Sequence, residues 1–177
     1  MVMLCDKISK ADLPDFLTVC GTEWIAEEKL DGDRMRMIVR EGKVQLLNRR
    51  LKDVTEKFPE LNDINVTNVI TDGEMCVIDE NGVSQFNTGI AFRTHCKSTT
   101  KIESAAKKYP ITYVIFDILE IDGKDLREVA WIERRKILDS LEFNHPNVIV
   151  NPYSEDIQGL WKQVTDKGGE GIILKKV

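Results

Sequence analysis

Several features that define whole classes of protein are missing from this sequence of 177 residues. No stretch approaches the roughly 18 apolar residues that a membrane-spanning helix needs, and no basic segment followed by an apolar run opens the chain. Only four cysteines and two histidines are present, and the cysteines form no Cys-x-x-Cys pair, which argues against a zinc site or a disulfide framework. We therefore expect reduced thiols and a cytoplasmic protein (or a nuclear one, in a eukaryote) without membrane contact. The cysteines are Cys5, Cys20, Cys76 and Cys96.

An excess of positive charge is also lacking. The chain has 25 basic and 30 acidic side chains, a net charge of −5 and a pI near 5.2. Because neutralisation of phosphates by Lys and Arg supplies most non-specific affinity for nucleic acids, the whole surface is not expected to hold DNA. Any DNA contact must use a local basic patch or be shared with another domain. The length and the 42% hydrophobic content suit one compact domain that needs no metal or disulfide to hold its core.

Short runs of alternating apolar and polar residues predict strands separated by glycine turns. Residues 24–29, 34–39 and 44–48, divided by Asp31-Gly32 and Glu41-Gly42, predict a small antiparallel meander. Asn81-Gly82, a strong hairpin signal, separates two further runs. The remaining predicted strands are residues 69–78, 83–86, 111–121 and 171–177.

Helical signals alternate with the strands. Thr100-x-x-Glu103 resembles a capping box that opens a helix closed by Pro110. Apolar and arginine residues recur at helical spacing twice more, and Gly168-Gly169 ends the second of these segments. They are Trp131, Arg134, Arg135, Leu138 and Leu141, and then Ile157, Leu160, Trp161 and Val164. The sequence thus predicts an α+β fold with mainly antiparallel sheets packed with helices.

One segment places a candidate nucleophile at the end of a strand. Period-two alternation in residues 24–29 sets Ile25, Glu27 and Lys29 on one face, so a carboxylate and an amine point the same way. Asp31-Gly32 follows, and Arg34 begins the next strand. Taken alone, this segment also fits an exposed hairpin that carries a solvated charge cluster.

Five segments in a fixed order favour the interpretation of Lys29 as a nucleophile over that of an exposed hairpin. Lys-x-Asp-Gly-x-Arg resembles the active-site motif of covalent nucleotidyltransferases, namely ATP-dependent DNA ligases, RNA ligases and mRNA capping enzymes. The run at residues 113–123, followed by Leu126-Arg127, looks more like a DNA ligase than a capping enzyme. The matching segments are Lys29-Leu30-Asp31-Gly32-Asp33-Arg34, Asn48-Arg49-Arg50, Asp72-Gly73-Glu74, Phe116-Asp117-Ile118-Leu119 and Glu170-Gly171-Ile172-Ile173-Leu174-Lys175.

The resemblance implies a covalent nucleotidyltransferase (ATP-grasp-like) core in which Lys29 attacks ATP and holds AMP. It implies that Glu27 reads the adenine amino group and that Phe116 stacks on adenine. Other roles that it implies are Arg34 at the ribose, Arg49 at the ribose or the nick phosphate, Glu74 at the ribose or the metal, Glu170 at the metal and Lys175 at the phosphates. Without the resemblance, Phe116 would be a core aromatic and the charged residues would be surface groups.

The chemistry itself implies a divalent cation. A lysine attacks only as the free amine, whose reference pKa of roughly 10.4 makes deprotonation unfavourable at neutral pH. A bound Mg²⁺ and partial desolvation favour the neutral form, and one or two carboxylates suffice to hold that ion. Glu170 is the first candidate ligand and Glu74 the second. Asp31 and Asp72 adjoin glycines, so turn chemistry or backbone hydrogen bonds are their expected role.

The sequence departs from the family at its end. Family members continue past the motif of Glu170 into another lysine-bearing strand and an oligonucleotide-binding fold. We therefore expect residues 1–177 to be an adenylation domain without that fold, monomeric by itself, which meets nicked double-stranded DNA through the full-length enzyme. The alternatives are an RNA ligase, a capping-type nucleotidyltransferase, or a non-catalytic nucleotide-binding remnant.

Overall fold

The computed structural model describes residues 8–9, 12–19, 23–66 and 68–177. The chain forms two compact units: residues 30–151 make the larger one, and residues 1–29 together with 152–177 make the smaller. Within the described ranges, no helix is long and apolar enough to cross a membrane. The mixture of antiparallel strands and a few helices confirms the predicted α+β fold.

The larger unit is built around a seven-stranded sheet. Its main path has the order β3-β2-β4-β6-β7, with β5 paired to β4 and β8 paired to β6. Only the β6–β8 pair is parallel among these. The strands are β2 (Asp33–Arg40), β3 (Lys43–Asn48), β4 (Val69–Ile78), β5 (Ser84–Gln85), β6 (Thr112–Ile121), β7 (Lys124–Asp125) and β8 (Val148–Val150).

Alternation in β2 gives this strand one core face. Met35, Met37 and Val39 are fully buried, whereas the residues between them are only partly buried and include arginines. The core also contains Tyr113 of β6, whose hydroxyl donates to the Met35 carbonyl oxygen at 3.1 Å. Burial raises the pKa of the Tyr113 phenol well above its usual value of 10.0, because a phenolate would be costly without water.

Two tight hairpins have the backbone that their sequences predict. Glu41 and Gly42 join β2 to β3 with φ values of 49° and 75°, and Asp122 and Gly123 join β6 to β7 with 48° and 80°. Two successive residues with positive φ are typical of the turn that matches the right-handed twist of paired strands, and glycine adopts such φ values at no steric cost.

In the described part of the larger unit there are three α-helices, and buried arginines hold two of them in place. Arg93 is fully buried and donates to the Glu60 carboxylate at 2.5 Å. Arg134 and Asp117 form a buried two-pronged pair, with Nε–Oδ1 at 2.8 Å and Nη2–Oδ2 at 2.7 Å. The helices are α2 (Ile90–His95), α3 (Thr99–Lys108) and α4 (Trp131–Asp139), and α1 (Leu13–Val19) precedes them in the smaller unit.

The smaller unit joins residues from both ends of the chain. Its three-stranded antiparallel sheet has the order β10-β1-β9. Helix α5 follows β9, and the Asp156 side chain caps it by accepting from the Gly159 N–H at 2.9 Å. The elements are β1 (Trp24–Lys29), β9 (Tyr153–Ser154), α5 (Ile157–Asp166) and β10 (Gly171–Lys176).

Two predictions about local structure are wrong. The expected meander fails because β1 pairs with β9 and β10, while β2 pairs with β3 and β4; only the β2–β3 hairpin of it exists. The expected capping box at Thr100 also fails, since α3 begins at Thr99 after Ser98, which makes no side-chain capping bond. The segment 100–103 therefore lies inside the helix.

The described cysteines, Cys76 and Cys96, are free thiols. This agrees with the expectation of reduced cysteines for these two positions. Cys5 and Cys20 lie outside the described residues.

Candidate active site

The register of β1 and β10 brings the candidate nucleophile together with a carboxylate 141 residues away. Lys29 lies opposite Gly171, so Glu170, which precedes Gly171, falls beside the lysine. The Lys29 amine donates to Oε1 of Glu170. Their side chains are 42% and 44% exposed, so both groups remain reachable by a ligand.

Strand β1 carries two further acidic side chains, each paired with a lysine. Glu27 is only 1% exposed, and its Oε2 accepts from Lys175 of β10 at 2.8 Å. Glu28 accepts from Lys167, at the end of α5, at 2.7 Å. Because a buried carboxylate is stable only with a compensating partner, Lys175 lets Glu27 lie inside the sheet.

In the larger unit, an arginine, an aspartate and an aromatic ring form one cluster. Arg34 of β2 donates to Asp72 of β4 through Nε at 3.1 Å and Nη2 at 2.7 Å. Its guanidinium carbon lies 5.3 Å from the centre of the Phe116 ring. The expectation that Asp72 serves a turn is wrong, because Asp72 lies inside β4 and orients Arg34.

Phe116 occupies an irregularity in the pairing of β4 with β6. Asp72 pairs with Asp117 and Gly73 pairs with Ile115, which leaves Phe116 as the extra residue. A bulge of this kind turns a side chain away from the regular alternation, and bulges are common beside active sites. It explains why an aromatic in an apolar strand is only half-buried and not part of the core.

The segment after Lys29 is held by backbone hydrogen bonds and close contact. The Asp31 N–H donates to the Ser84 hydroxyl at 2.7 Å, and the Asp31 carboxylate accepts from the Phe86 N–H at 3.4 Å, which confirms the backbone role expected for this aspartate. A Cβ atom at Gly32 would lie 2.8 Å from Cγ of Glu74 and closer still to the backbone of β4. Close approach, and not a hairpin, explains the glycine.

Sequence reasoning missed one titratable group beside this cluster. Burial raises the pKa of the Asp33 carboxyl above its ordinary value of 3.8. Asp33 lies between Gly32 and Arg34, and its cross-strand neighbour is Met75. An aspartate that begins an alternating strand gives no sequence signal of this kind, because its burial depends on how the rest of the chain packs around it.

The other two predicted site residues of the larger unit are Glu74 and Arg49. Glu74 is a half-buried side chain of β4, opposite Arg34 in the register. Arg49 is exposed in the turn after β3, and it makes no hydrogen bond or ion pair with the part of the chain that the structure describes. Arg34 and Phe116 are thus in contact, whereas Arg49 lies outside this cluster.

The carboxylates of the site suit a magnesium ion that has few protein ligands and keeps most of its water. Among the described residues, no group of three or more Asp, Glu, His or Cys side chains is arranged to hold a metal. Magnesium keeps most of its water and needs only one or two protein carboxylates. The half-exposed oxygens of Glu170 fit that requirement, whereas zinc or a calcium cage would need a larger ligand set.

Comparison with known sequences gives one consistent result. The family model described as "ATP dependent DNA ligase domain" matches residues 2–177. The DNA ligase of Nitrosopumilus maritimus (strain SCM1) is 30% identical over 185 residues, which cover 98% of this chain and 30% of that protein. The SPbeta prophage-derived DNA ligase-like protein LigB of Bacillus subtilis (strain 168) is 31% identical over 158 residues, which cover 86% of this chain and 54% of LigB.

Solved structures agree with the sequence matches. The ligase domain of M. tuberculosis LigD superposes with a TM-score of 0.66 at 26% identity, over 88% of this chain and 49% of that one. A structure titled mycobacterial DNA ligase D complexed with ATP and MES gives the same TM-score at 25% identity. An archaeal ATP-dependent RNA ligase, at 21% identity and a TM-score of 0.51, shares the fold.

Proposed function

This chain belongs to the family of ATP dependent DNA ligase domains, and we propose that its Lys29 attacks the α-phosphate of ATP and keeps AMP as a covalent phosphoramidate. The observation that carries the proposal is the pairing of Lys29 with Glu170. This pair joins the first and the last of the five ordered motifs on adjacent strands, and both side chains are open to solvent.

The proposed step forms one bond and breaks one. The Lys29 nitrogen bonds to the α-phosphorus, the bond from that phosphorus to the bridging oxygen breaks, and pyrophosphate leaves while the amine gives up a proton. A magnesium ion, when bound at Glu170 with Glu74 as a second candidate ligand, would supply positive charge that screens the amine from the polyphosphate. Lys175 is the proposed phosphate contact of β10, and it also compensates Glu27.

Recognition of the nucleotide is proposed to divide between a buried carboxylate and an aromatic ring. Glu27, fixed by Lys175, has the chemistry to accept from the adenine amino group, which guanine does not present at that position. Phe116, turned out by its bulge, offers a ring for stacking. Arg34 lies over that ring and suits ribose oxygens, and Arg49 is the candidate for the ribose or for a nick phosphate.

We infer that the sealing of DNA needs more than these 177 residues. The chain spans 30% of the length of the Nitrosopumilus relative and 54% of the Bacillus one. We propose that residues 1–177 form the adenylation domain of such an enzyme, which passes AMP to the 5′-phosphate of a nick in double-stranded DNA. The net charge of −5 supports the idea that other parts of that enzyme provide most of the DNA contacts.

Intact-mass measurement after incubation with ATP, GTP or NAD and Mg²⁺ tests the proposal. We expect the mass of the protein to increase by one AMP with ATP and not with GTP or NAD. Lys29→Ala should show no increase with any of the three. Lys162→Ala is the matched control, because this exposed lysine of α5 pairs with Asp166 of its own helix and its variant should keep the adduct. A GMP-sized adduct, an adduct formed only from NAD, or an AMP adduct that survives in Lys29→Ala would refute the assignment.

A second variant separates the role of Glu170 from that of Lys29. Glu170→Gln keeps the size of the side chain and removes its charge, so we expect slower adduct formation and a need for more Mg²⁺, with the adduct still on Lys29. If the rate and the Mg²⁺ dependence were unchanged, Glu170 would be only a surface partner of the lysine.

A further inference from the structure

A groove between α2 and α3 lies in the larger unit and has no role in the proposed adenylation. Its volume is about 540 Å³, which falls within the roughly 300–1,000 Å³ of typical ligand pockets. Phe92 of α2 and Tyr109, directly after α3, are its aromatic members. The other lining residues are Asn87, Thr88, Gly89, Lys101, Ser104, Ala105 and Lys108.

One face of α3 forms a basic wall of this groove. Lys101, Ser104, Ala105 and Lys108 follow the spacing i, i+3, i+4, i+7, which sets them on a single helix face, and Ile102 is buried on another side. Seven residues at about 1.5 Å each separate the two lysines by roughly 10 Å along the axis. This spacing suits two phosphates of one chain better than a single phosphate.

The positive charge is local. The residues that line the groove include two lysines, Lys101 and Lys108, and no acidic residue, in a chain whose net charge is −5. The α2–α3 groove is therefore a basic patch on an acidic protein, which favours a polyanion as its occupant.

The aromatic residues of the groove indicate which kind of polyanion it could bind. The Phe92 side chain is 50% exposed, unlike the large apolar side chains of the core. The Lys108 amine lies 4.9 Å from the centre of the Tyr109 ring, so this end of the groove presents a cation and a ring together. Gly89, with φ of +84°, lets α2 begin against Tyr109, because a Cβ there would lie 2.9 Å from Cβ of the tyrosine.

We propose that the α2–α3 groove binds a short single-stranded segment of nucleic acid, with a base stacked on Phe92 and the backbone phosphates on Lys101 and Lys108. Aromatic rings beside lysines are the usual means of holding single strands without sequence preference. Bases in a duplex already stack on each other and cannot offer a face to Phe92. An acidic peptide would use the lysines and leave the exposed ring without a partner.

Fluorescence anisotropy with the whole chain and labelled oligothymidylate of about 12 nucleotides, within the roughly 4–16 nucleotides typical of such sites, tests the proposal. Phe92→Ala should weaken binding by at least about fivefold, and Phe92→Trp should restore it, since stacking of one base on an aromatic ring is lost and regained. Phe92 is half exposed, so neither change is expected to affect folding.

The lysines have a separate signature in the salt dependence. Lys101→Ala combined with Lys108→Ala should reduce the slope of log K against log salt concentration by about 1.4, since each phosphate contact on a single strand contributes about 0.7. Lys136→Ala is the matched control, because this lysine is exposed on α4 and pairs with Glu133 of the same helix. Its affinity and slope should equal those of the wild type.

Three results would overturn the inference: a duplex of equal length that binds as tightly as the single strand, poly-glutamate that displaces the oligonucleotide at equal charge, or Phe92→Ala that binds like the wild type. Formation of the Lys29 adduct, measured on the same variants, keeps this test separate from the proposed function. Groove variants should form the Lys29 adduct normally. A variant that loses single-strand binding and still forms the adduct would therefore report on the groove and not on the adenylation site.

Discussion

The two adjacent lysines at the end of β10 offer a controlled test of how Glu27 is stabilised. Lys175 contacts Glu27 at 2.8 Å, with side-chain exposures of 17% and 1%. Lys176 contacts Glu23 at 3.3 Å, with exposures of 65% and 68%. Methionine in place of either lysine keeps most of the aliphatic stem and removes the charge, so the two variants differ mainly in which carboxylate loses its cation.

The expected magnitudes differ because burial differs. Removing one partner from a buried ion pair costs about 3–5 kcal/mol, since the remaining buried charge loses the opposite charge that offset its desolvation. Lys175 is partly exposed and water can reach that end of the pair, so we expect a loss of about 2–3 kcal/mol in the free energy of unfolding for Lys175→Met. Lys176→Met should change it by no more than about 0.5 kcal/mol.

Urea unfolding followed by tryptophan fluorescence measures both values, because Trp24 begins β1 and Trp161 lies in α5. Lys175→Met combined with Glu27→Gln should recover part of the loss, since the buried charge that Lys175 offset is then gone as well. Equal effects of the two single variants, or no recovery in the double variant, would refute the view that Lys175 serves to compensate a buried charge.

Three further predictions concern the larger unit. Arg134→Met should lower the free energy of unfolding by about 3–5 kcal/mol in urea titrations, because it leaves the buried Asp117 without its partner. Gly73→Ala should lower it by about 1–3 kcal/mol or more by the same assay, since a Cβ there would lie 2.7 Å from the ring of Tyr113. Burial raises the pKa of Asp33 above 3.8, the pKa of this carboxyl in the unfolded chain. Ionisation of Asp33 therefore destabilises the folded state once the pH rises above 3.8. The stability of Asp33→Asn relative to the wild type should accordingly be greater at pH 7 than below pH 3.8, and an equal difference at both would contradict the assignment.

Local patterns were enough to place most strands. Residues 24–29 and 69–78 match β1 and β4 residue for residue, and the turn at Glu41-Gly42 has the left-handed backbone that its sequence predicts. The helix formed by Trp131–Asp139 buries Trp131 and Leu138, as the spacing indicated. Such signals depend on residues within a few positions of each other, and this range is what periodicity and turn chemistry describe.

Partners that are distant in sequence could not be predicted in this way. Asp72 beside Gly73 has the local signature of a turn, but β4 continues through both and presents the carboxylate to Arg34. The bulge that turns Phe116 outward depends on a mismatch between β4 and β6, and neither strand shows it alone. The short strand β8, which pairs in parallel with β6, also lacked a turn signal that would identify its partner.

The same reasoning explains why the turn signal at Asp31-Gly32 gave the wrong neighbour for the strand that ends at Lys29. The glycine after Lys29 suggested that the chain turns back at once, so β2 was expected beside β1. Gly32 instead allows close contact with β4, and the chain returns to β1 only at β10, where Lys29 faces Gly171. In this register a shift of β10 by one residue would move Glu170 away from the amine and turn Lys175 from the side of Glu27 to the opposite face, because side chains alternate with period two. One register therefore fixes both pairs, and a change that moved β10 should weaken the proposed nucleophile and the proposed adenine contact together.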